Sequence, residues 1–153
     1  MNIYIGVLSL ILCTFNGYRL SVKFNERKKF FSDFFSFNQK MISEVSFTQN
    51  PLLKIVESEQ GDKRDFIKFI SGEINKAEYY VPDYLKKEEI PIVKEYANNL
   101  GRSDRETQLK FLSSQTKIIE NLCASSEKDE IKYKKLYVKL GFLFGLIILI
   151  ALL

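Results

Sequence analysis

The side chains able to do chemistry are 19 carboxylates, 23 lysines and arginines, 8 tyrosines and 2 cysteines, with no histidine. Without histidine the chain lacks the commonest general base near neutral pH and the commonest metal ligand. Cys13 lies in an apolar run and Cys123 in a charged helical stretch. Their surroundings differ, so neither a disulfide nor a metal cluster is expected, and each reads as a small packed side chain. The carboxylates sit beside lysines, the pattern of solvated helix faces. Glu88 and Glu89 are adjacent and would diverge on a helix rather than form an acid–base pair. No phosphate-binding G-x-x-x-x-G-K-[ST] loop, G-x-S-x-G elbow or H-E-x-x-H helix is present. The net charge of +4 comes from mixed signs, unlike the concentrated cationic face of a nucleic-acid binder. These features point to a non-enzymatic protein with no cofactor, metal site, small-molecule substrate or nucleic-acid partner.

The most specific local pattern is a turn. Gly101 stops a helix through a left-handed C-cap, and Ser103-Asp104-Arg105-Glu106 reads as an S-x-x-E capping box that opens the next. Asp104 and Glu106 also suit the positive end of a helix dipole. Glycines do a second job in the apolar ends. Gly141 and Gly145 form a G-x-x-x-G, while Ser9, Cys13 and Gly17 recur every fourth residue. Such faces let helix backbones approach closely in lipid, against one another or against a partner.

The elements that position these residues follow from charge and periodicity. Residues 1–18 carry no charged side chain, and as a helix they extend about 27 Å, enough for the hydrocarbon core. Residues 140–153 are equally bare of charge. With Leu136, Tyr137 and Val138 they make a second segment of similar length, with Lys139 snorkelling to the interface. The first cation, Arg19, comes after the apolar run, and no A-x-A site follows it. Leu10, Ile11 and Leu12 lack the small residue a lipoprotein site needs before Cys13. An uncleaved anchor is therefore expected rather than a signal peptide. Arg19, Lys23, Arg27, Lys28 and Lys29 follow the first segment, and Lys128, Lys132, Lys134, Lys135 and Lys139 lead into the second. The positive-inside rule then puts the central region in the cytoplasm and both termini across the membrane. The expected organisation is a transmembrane helix over 1–18, a cytoplasmic helical domain over 19–135 and a transmembrane helix over 136–153.

Within the centre, Phe30, Phe34, Phe37, Met41 and Val45 step by three or four, with Phe31, Phe35 and Ile42 widening the stripe. Asn50-Pro51 starts a short helix to about Ser58, which Gly61-Asp62 ends. Arg64 to Asn75 forms another helix, burying Phe66, Ile67, Phe69 and Ile70. Glu78–Asp83 is a loop, and a helix from about Glu88 tolerates Pro91 in its first turn and buries Ile92, Val93, Tyr96, Ala97 and Leu100. From Asp104 the helical pattern reaches Lys139 or beyond, burying Leu109, Leu112, Ile119, Leu122 and Cys123. Residues 125–130 are polar and expected to face solvent. No alternating strand pattern competes, so the fold class is all-α, a helical bundle.

Leu100-Gly101-Arg102-Ser103-Asp104-Arg105 followed by Gln108 resembles the L-G-x-x-D-x-x-x-Q turn of the stage III sporulation protein AB family of endospore-forming bacteria. Glu26-Arg27, Pro51-Leu52, Leu136, Gly141 and Gly145 match that family in order and spacing. The chain departs from it by a shorter stretch between Pro51 and Leu100 and by phenylalanines such as Phe66 where a tryptophan is common. The resemblance implies a cytoplasmic domain similar to that of type II secretion platform proteins. It also implies a place in the membrane complex joining mother cell and forespore, in the mother-cell membrane. The implied partners are the membrane and the other proteins of the stage III sporulation AA to AH operon, especially the AA ATPase. The candidate partner or structural motif is then Leu100, Gly101, Arg102, Asp104 and Gln108. The alternative is a pore-forming or holin-like membrane protein, whose anchors would need a polar face.

Overall fold

The structure, a computed structural model, describes residues 2–47, 65–76 and 80–152. Among them all regular structure is helical: α1 (Asn2–Phe47), α2 (Asp65–Asn75), α3 (Glu89–Asn99) and α4 (Arg105–Leu152). The all-α expectation is met for these residues. The short helix expected from Pro51, its Asn50 cap and the Gly61-Asp62 break lie outside the described residues. The chain packs as two compact units, one of Met1–Lys28 with Ser125–Leu153, the other of Lys29–Ala124.

The long helices follow from what their sequences lack. No proline occurs in α1 or α4, and the glycines inside them cost only about 1 kcal/mol each in helix propensity. The apolar segment at the N-terminus and the aromatic-rich segment after Val22 therefore join into one helix, because nothing in Tyr18-Arg19-Leu20-Ser21 stops it.

In the unit Lys29–Ala124 the aromatic stripe of α1 is the core. Phe30, Phe31, Phe34, Phe37 and Met41 are buried together with Phe66, Ile67, Phe69 and Ile70 of α2. Val93, Tyr96 and Ala97 of α3, Leu100, and Leu112 and Ile119 of α4 complete it. Ile92, Leu109, Leu122 and Cys123 are only half-buried, at the margin of the helix faces that the periodicity assigned to the core. Phe34 stacks on Phe66 at 4.8 Å between ring centroids and meets Tyr96 edge-on at the same distance. Phe30 and Phe37 each meet Phe66 edge-on at 5.4 Å. These are the geometries that ring quadrupoles favour. One polar network crosses this core. Tyr96 donates its hydroxyl to Asn38 Oδ1 at 3.0 Å, and Asn38 Nδ2 donates to Thr116 Oγ1 at 2.9 Å and to the Leu112 carbonyl at 3.3 Å. Burial pushes the Tyr96 phenol far above its ordinary range, so it stays a donor.

Glu89 corrects the expectation of solvated carboxylates. It is 3% exposed, and its carboxylate accepts the Lys86 N–H at 2.9 Å, closing the turn that leads into α3. An adjacent carboxylate turned inward in this way satisfies a backbone donor that the helix start would otherwise leave open.

In the other unit α1 and α4 run antiparallel, since their contacts fall in α4 numbering as they rise in α1. Leu149 lies by Gly6, Leu10 by Gly145, and Gly17 by Gly141. Tyr133 and Tyr137 stack on Phe24, and Asp129 pairs with Arg27. The Arg27–Asp129 contact is 2.8 Å, with the arginine side chain 3% exposed. Ser21 and Ser126 are also buried. The stretch 125–130 faces solvent only in part: Glu127 and Lys128 are exposed as its polarity suggested, while Ser126 is buried and Ser125, Asp129 and Glu130 are half-buried. Glu127, Asp129 and Glu130 pair with Lys28 and Arg27 of α1, which is the condition for burying such groups.

Candidate functional site

The turn between α3 and α4 is built from the backbone outward. Leu100 caps α3 in an extended conformation (φ −69°, ψ 124°), gives its N–H to the Ala97 carbonyl, and buries its side chain. Gly101 follows with φ 74°, the left-handed conformation that a side chain disfavours. Arg102, Ser103 and Asp104 are exposed.

The capping residue is Asp104, not Ser103. α4 begins at Arg105, and Asp104 Oδ2 accepts the Thr107 N–H at 3.2 Å. Asp104 also accepts the Gln108 N–H on its main-chain carbonyl at 2.9 Å. The expected box fails because the helix starts one residue later than its register requires. Glu106 pairs instead with Lys110 at 2.7 Å, on the exposed helix face. Hydrogen bonds from the Thr107 side chain and N–H hold the Asp104 carboxyl below its usual range.

Ser103 has a different task. Its hydroxyl donates to Gln108 Oε1 at 3.1 Å, and the Gly101 N–H donates to the same oxygen at 3.2 Å. Gln108 is 1% exposed, and its Nε2 meets no hydrogen-bond partner among the described residues. This amide oxygen fastens the glycine turn to the first coils of α4, which accounts for the seven-residue spacing of Gly101 and Gln108. Leu100, Gly101 and Gln108 therefore hold the turn, while Arg102 and Asp104 form its outer surface.

Sequence reasoning passed over Arg105. Its Nε donates to the Val45 carbonyl at 2.8 Å and its Nη2 to the Ser46 carbonyl, in the last turn of α1. Carbonyls there lack helical partners, and a guanidinium satisfies two at once. One signal was legible: a cation in the first turn of a helix opposes the helix dipole, so its cost has to be offset elsewhere.

The second candidate is the small-residue face of the apolar ends. A Cβ on Gly17 would lie 2.5 Å from the Tyr137 carbonyl oxygen and 3.2 Å from Gly141 Cα. A Cβ on Gly141 would lie 2.7 Å from the Cys13 carbonyl oxygen, and one on Gly145 would lie 2.8 Å from Leu10 Cα. All of these are backbone atoms that cannot step aside. Cys13, Gly17, Gly141 and Gly145 thus meet across one interface within the chain. Ser9 does not join them through its hydroxyl, which bonds the Gly6 carbonyl of its own helix at 2.9 Å. Gly6 was missed: a Cβ there would meet Leu149 Cδ1 at 2.7 Å. Neither cysteine is in a disulfide, and Cys123 Sγ contacts the Phe31 carbonyl at 3.1 Å.

Nearby, Glu130 accepts from Lys134 at 3.0 Å and from Lys28 at 3.3 Å. Lys134, then Lys28, holds its carboxyl below the usual range, and Glu130 with Glu127 raises Lys28. Among the described residues no cluster of His, Cys, Asp and Glu is arranged to hold a metal. Among them one helix, Tyr4–Phe47 of α1, contains a stretch long and apolar enough to cross a membrane.

No individually curated protein and no solved structure matches the chain. The family model for stage III sporulation protein AB matches residues 2–153, from the glycine-bearing start of α1 through the Leu100–Gln108 turn to the closing apolar run. The chain therefore belongs to the stage III sporulation protein AB family.

Proposed function

We propose that this protein is a non-enzymatic membrane platform in the channel complex between mother cell and forespore, where it docks the secretion-type AA ATPase of its operon. In this reading residues 1–18 and 136–153 span the mother-cell membrane, and 19–135 form a cytoplasmic domain. The observation that carries it is the backbone-to-backbone glycine contact between the two uncharged ends. Water gives helices no reason to shed side chains at a contact, whereas lipid does, because association there depends on close packing and not on apolar burial. Two ends paired in this way, with cations at the inner boundary of both, suit one hairpin inserted from one side. Membership of a stage III sporulation family agrees with the complex proposed.

The pore-forming alternative needs polar side chains free to line a channel. Ser9, Thr14 and Asn16 instead hydrogen-bond to carbonyls of their own helix. Many large apolar residues of both ends are exposed, among them Leu8, Ile11, Phe15, Phe142, Phe144 and Ile147.

Expression of the complete operon, mild detergent extraction and capture of the tagged full chain test the platform reading. The AA ATPase is expected to co-purify, and Arg102→Glu with Asp104→Lys, which inverts the outer surface of the turn, is expected to weaken its recovery. Recovery of every operon membrane protein without the ATPase would refute docking. Reagent labelling of single cysteines in the central region, reactive only from outside the cell, would refute the topology.

A further inference from the structure

The face of α4 formed by Glu130, Ile131, Lys134, Lys135, Val138 and Lys139 lines a concavity of about 530 Å³. It is an open, shallow surface of a single helix, suited to a headgroup at a membrane boundary rather than to an enclosed ligand. Its charges are unevenly committed. Glu130 already receives Lys134 and Lys28, which offset its charge locally. Lys135 and Lys139 are exposed and meet no carboxylate among the described residues. Val138, half-buried, lies between them, and Ile131 is exposed at the edge of the concavity.

The position of this concavity along the chain matters as much as its lining. Tyr133 and Tyr137 of the same helix stack on Phe24, and Lys132 Nζ lies 5.0 Å from the Tyr133 ring centroid. Tyrosines with flanking lysines mark headgroup depth in membrane proteins. Immediately beyond Lys139 the uncharged run 140–153 begins.

We propose that this concavity binds the headgroup of an anionic membrane phospholipid, with Lys135 and Lys139 holding its phosphate, Val138 against its glycerol, and the uncharged run from residue 140 beside its acyl chains. The match is one of charge and of position: two lysines without carboxylate partners among the described residues, on a helix that continues directly into an uncharged segment. Basic pockets beside membrane helices select anionic headgroups in this way. The inference rests on the proposed membrane insertion of 136–153, which sets the lysine rim at headgroup level.

The test uses the full chain in phosphatidylcholine bilayers containing a minority of spin-labelled phosphatidylglycerol or spin-labelled phosphatidylcholine. The motionally restricted fraction is expected to favour phosphatidylglycerol. The exposed-surface variant Lys135→Gln/Lys139→Gln is expected to reduce that preference about fivefold. Lys110→Gln/Lys117→Gln removes the same charge elsewhere on α4 and is expected to leave it unchanged. Equal losses for the two double variants, or no preference in the unaltered chain, would overturn the site. Inorganic phosphate at constant ionic strength is expected to have no effect. If it abolished the preference, the site would bind phosphate and not lipid, and the proposal would fall. Flotation with pure phosphatidylcholine vesicles separates the two readings. A chain that fails to float overturns membrane insertion and the lipid site with it, whereas a chain that floats without headgroup preference overturns the lipid site alone.

Discussion

Two regions of this chain join helices by opposite means. In Lys29–Ala124 the helices meet through large side chains: Phe66 alone touches the rings of Phe30, Phe34 and Phe37. In the unit of Met1–Lys28 with Ser125–Leu153 they meet where side chains are missing, with Gly17 against Gly141 and Gly145 against Leu10. On the membrane reading proposed above, the difference reflects the solvent each contact is made for. In water, burying an aromatic ring removes a large apolar area and stabilises the fold by a few kcal/mol. In lipid that gain vanishes, and close backbone approach with its many small dispersion contacts is what remains.

The largest effect should therefore come from the aromatic core. Phe66→Ala removes the ring shared by three others and is expected to destabilise Lys29–Ala124 by about 4 kcal/mol. Denaturant titration of the full chain in detergent, followed by near-ultraviolet dichroism, measures it, and a loss under about 1 kcal/mol would contradict the packing described. Gly17→Leu comes next, at about 2 kcal/mol, because the new side chain meets backbone at Tyr137 and Gly141. Its signature differs. Distances between spin labels at exposed Leu8 and Ile147 should lengthen in bilayers, while the aromatic dichroism stays unchanged. If the same substitution disturbed the dichroism and not the distances, the contrast between the regions would fail.

A smaller effect belongs to the turn. Gly101→Ala forces a side chain into φ 74° and is expected to cost about 1 kcal/mol. Gly101→Asn, which tolerates that conformation better, should recover part of the loss in the same titration. The smallest is a matter of pH. Asp104 has its carboxyl lowered by Thr107, so its contribution is complete above the ordinary aspartate range. That contribution is lost as pH falls through that range towards the lowered folded value. Asp104→Asn should flatten this part of the acid titration, and an unchanged profile would remove Asp104 as the charged cap.

How much of this was legible can be judged residue by residue. The three-and-four spacing from Phe30 to Val45 announced a buried helix face, and all five of those residues are buried. Gly101 announced a left-handed turn and adopts one. Asp104 was placed beside the helix start, but the capping role went to Ser103, because S-x-x-E and D-x-x-T are offset by one residue and only the helix register separates them. Glu89 was misjudged and Arg105 passed over for a related reason. A charged side chain reads as solvated until the carbonyls of Val45 and Ser46, or the N–H of Lys86, are brought within reach.

The amino-acid order alone determined the helical class, the two uncharged ends with their flanking cations, the aromatic face of α1 and the glycine stop at 101. Each depends on interactions between residues a few positions apart, or on the composition of a single segment. Tertiary structure decided that Gly17 faces Gly141, that Arg27 finds Asp129, that Gln108 fastens the turn and that Arg105 reaches the end of α1. Those pairings span up to more than a hundred residues, and glycine spacing or an isolated charge carries no record of its distant partner. Chain folding chooses that partner by bringing together the surfaces whose shapes and unpaired polar groups complement each other.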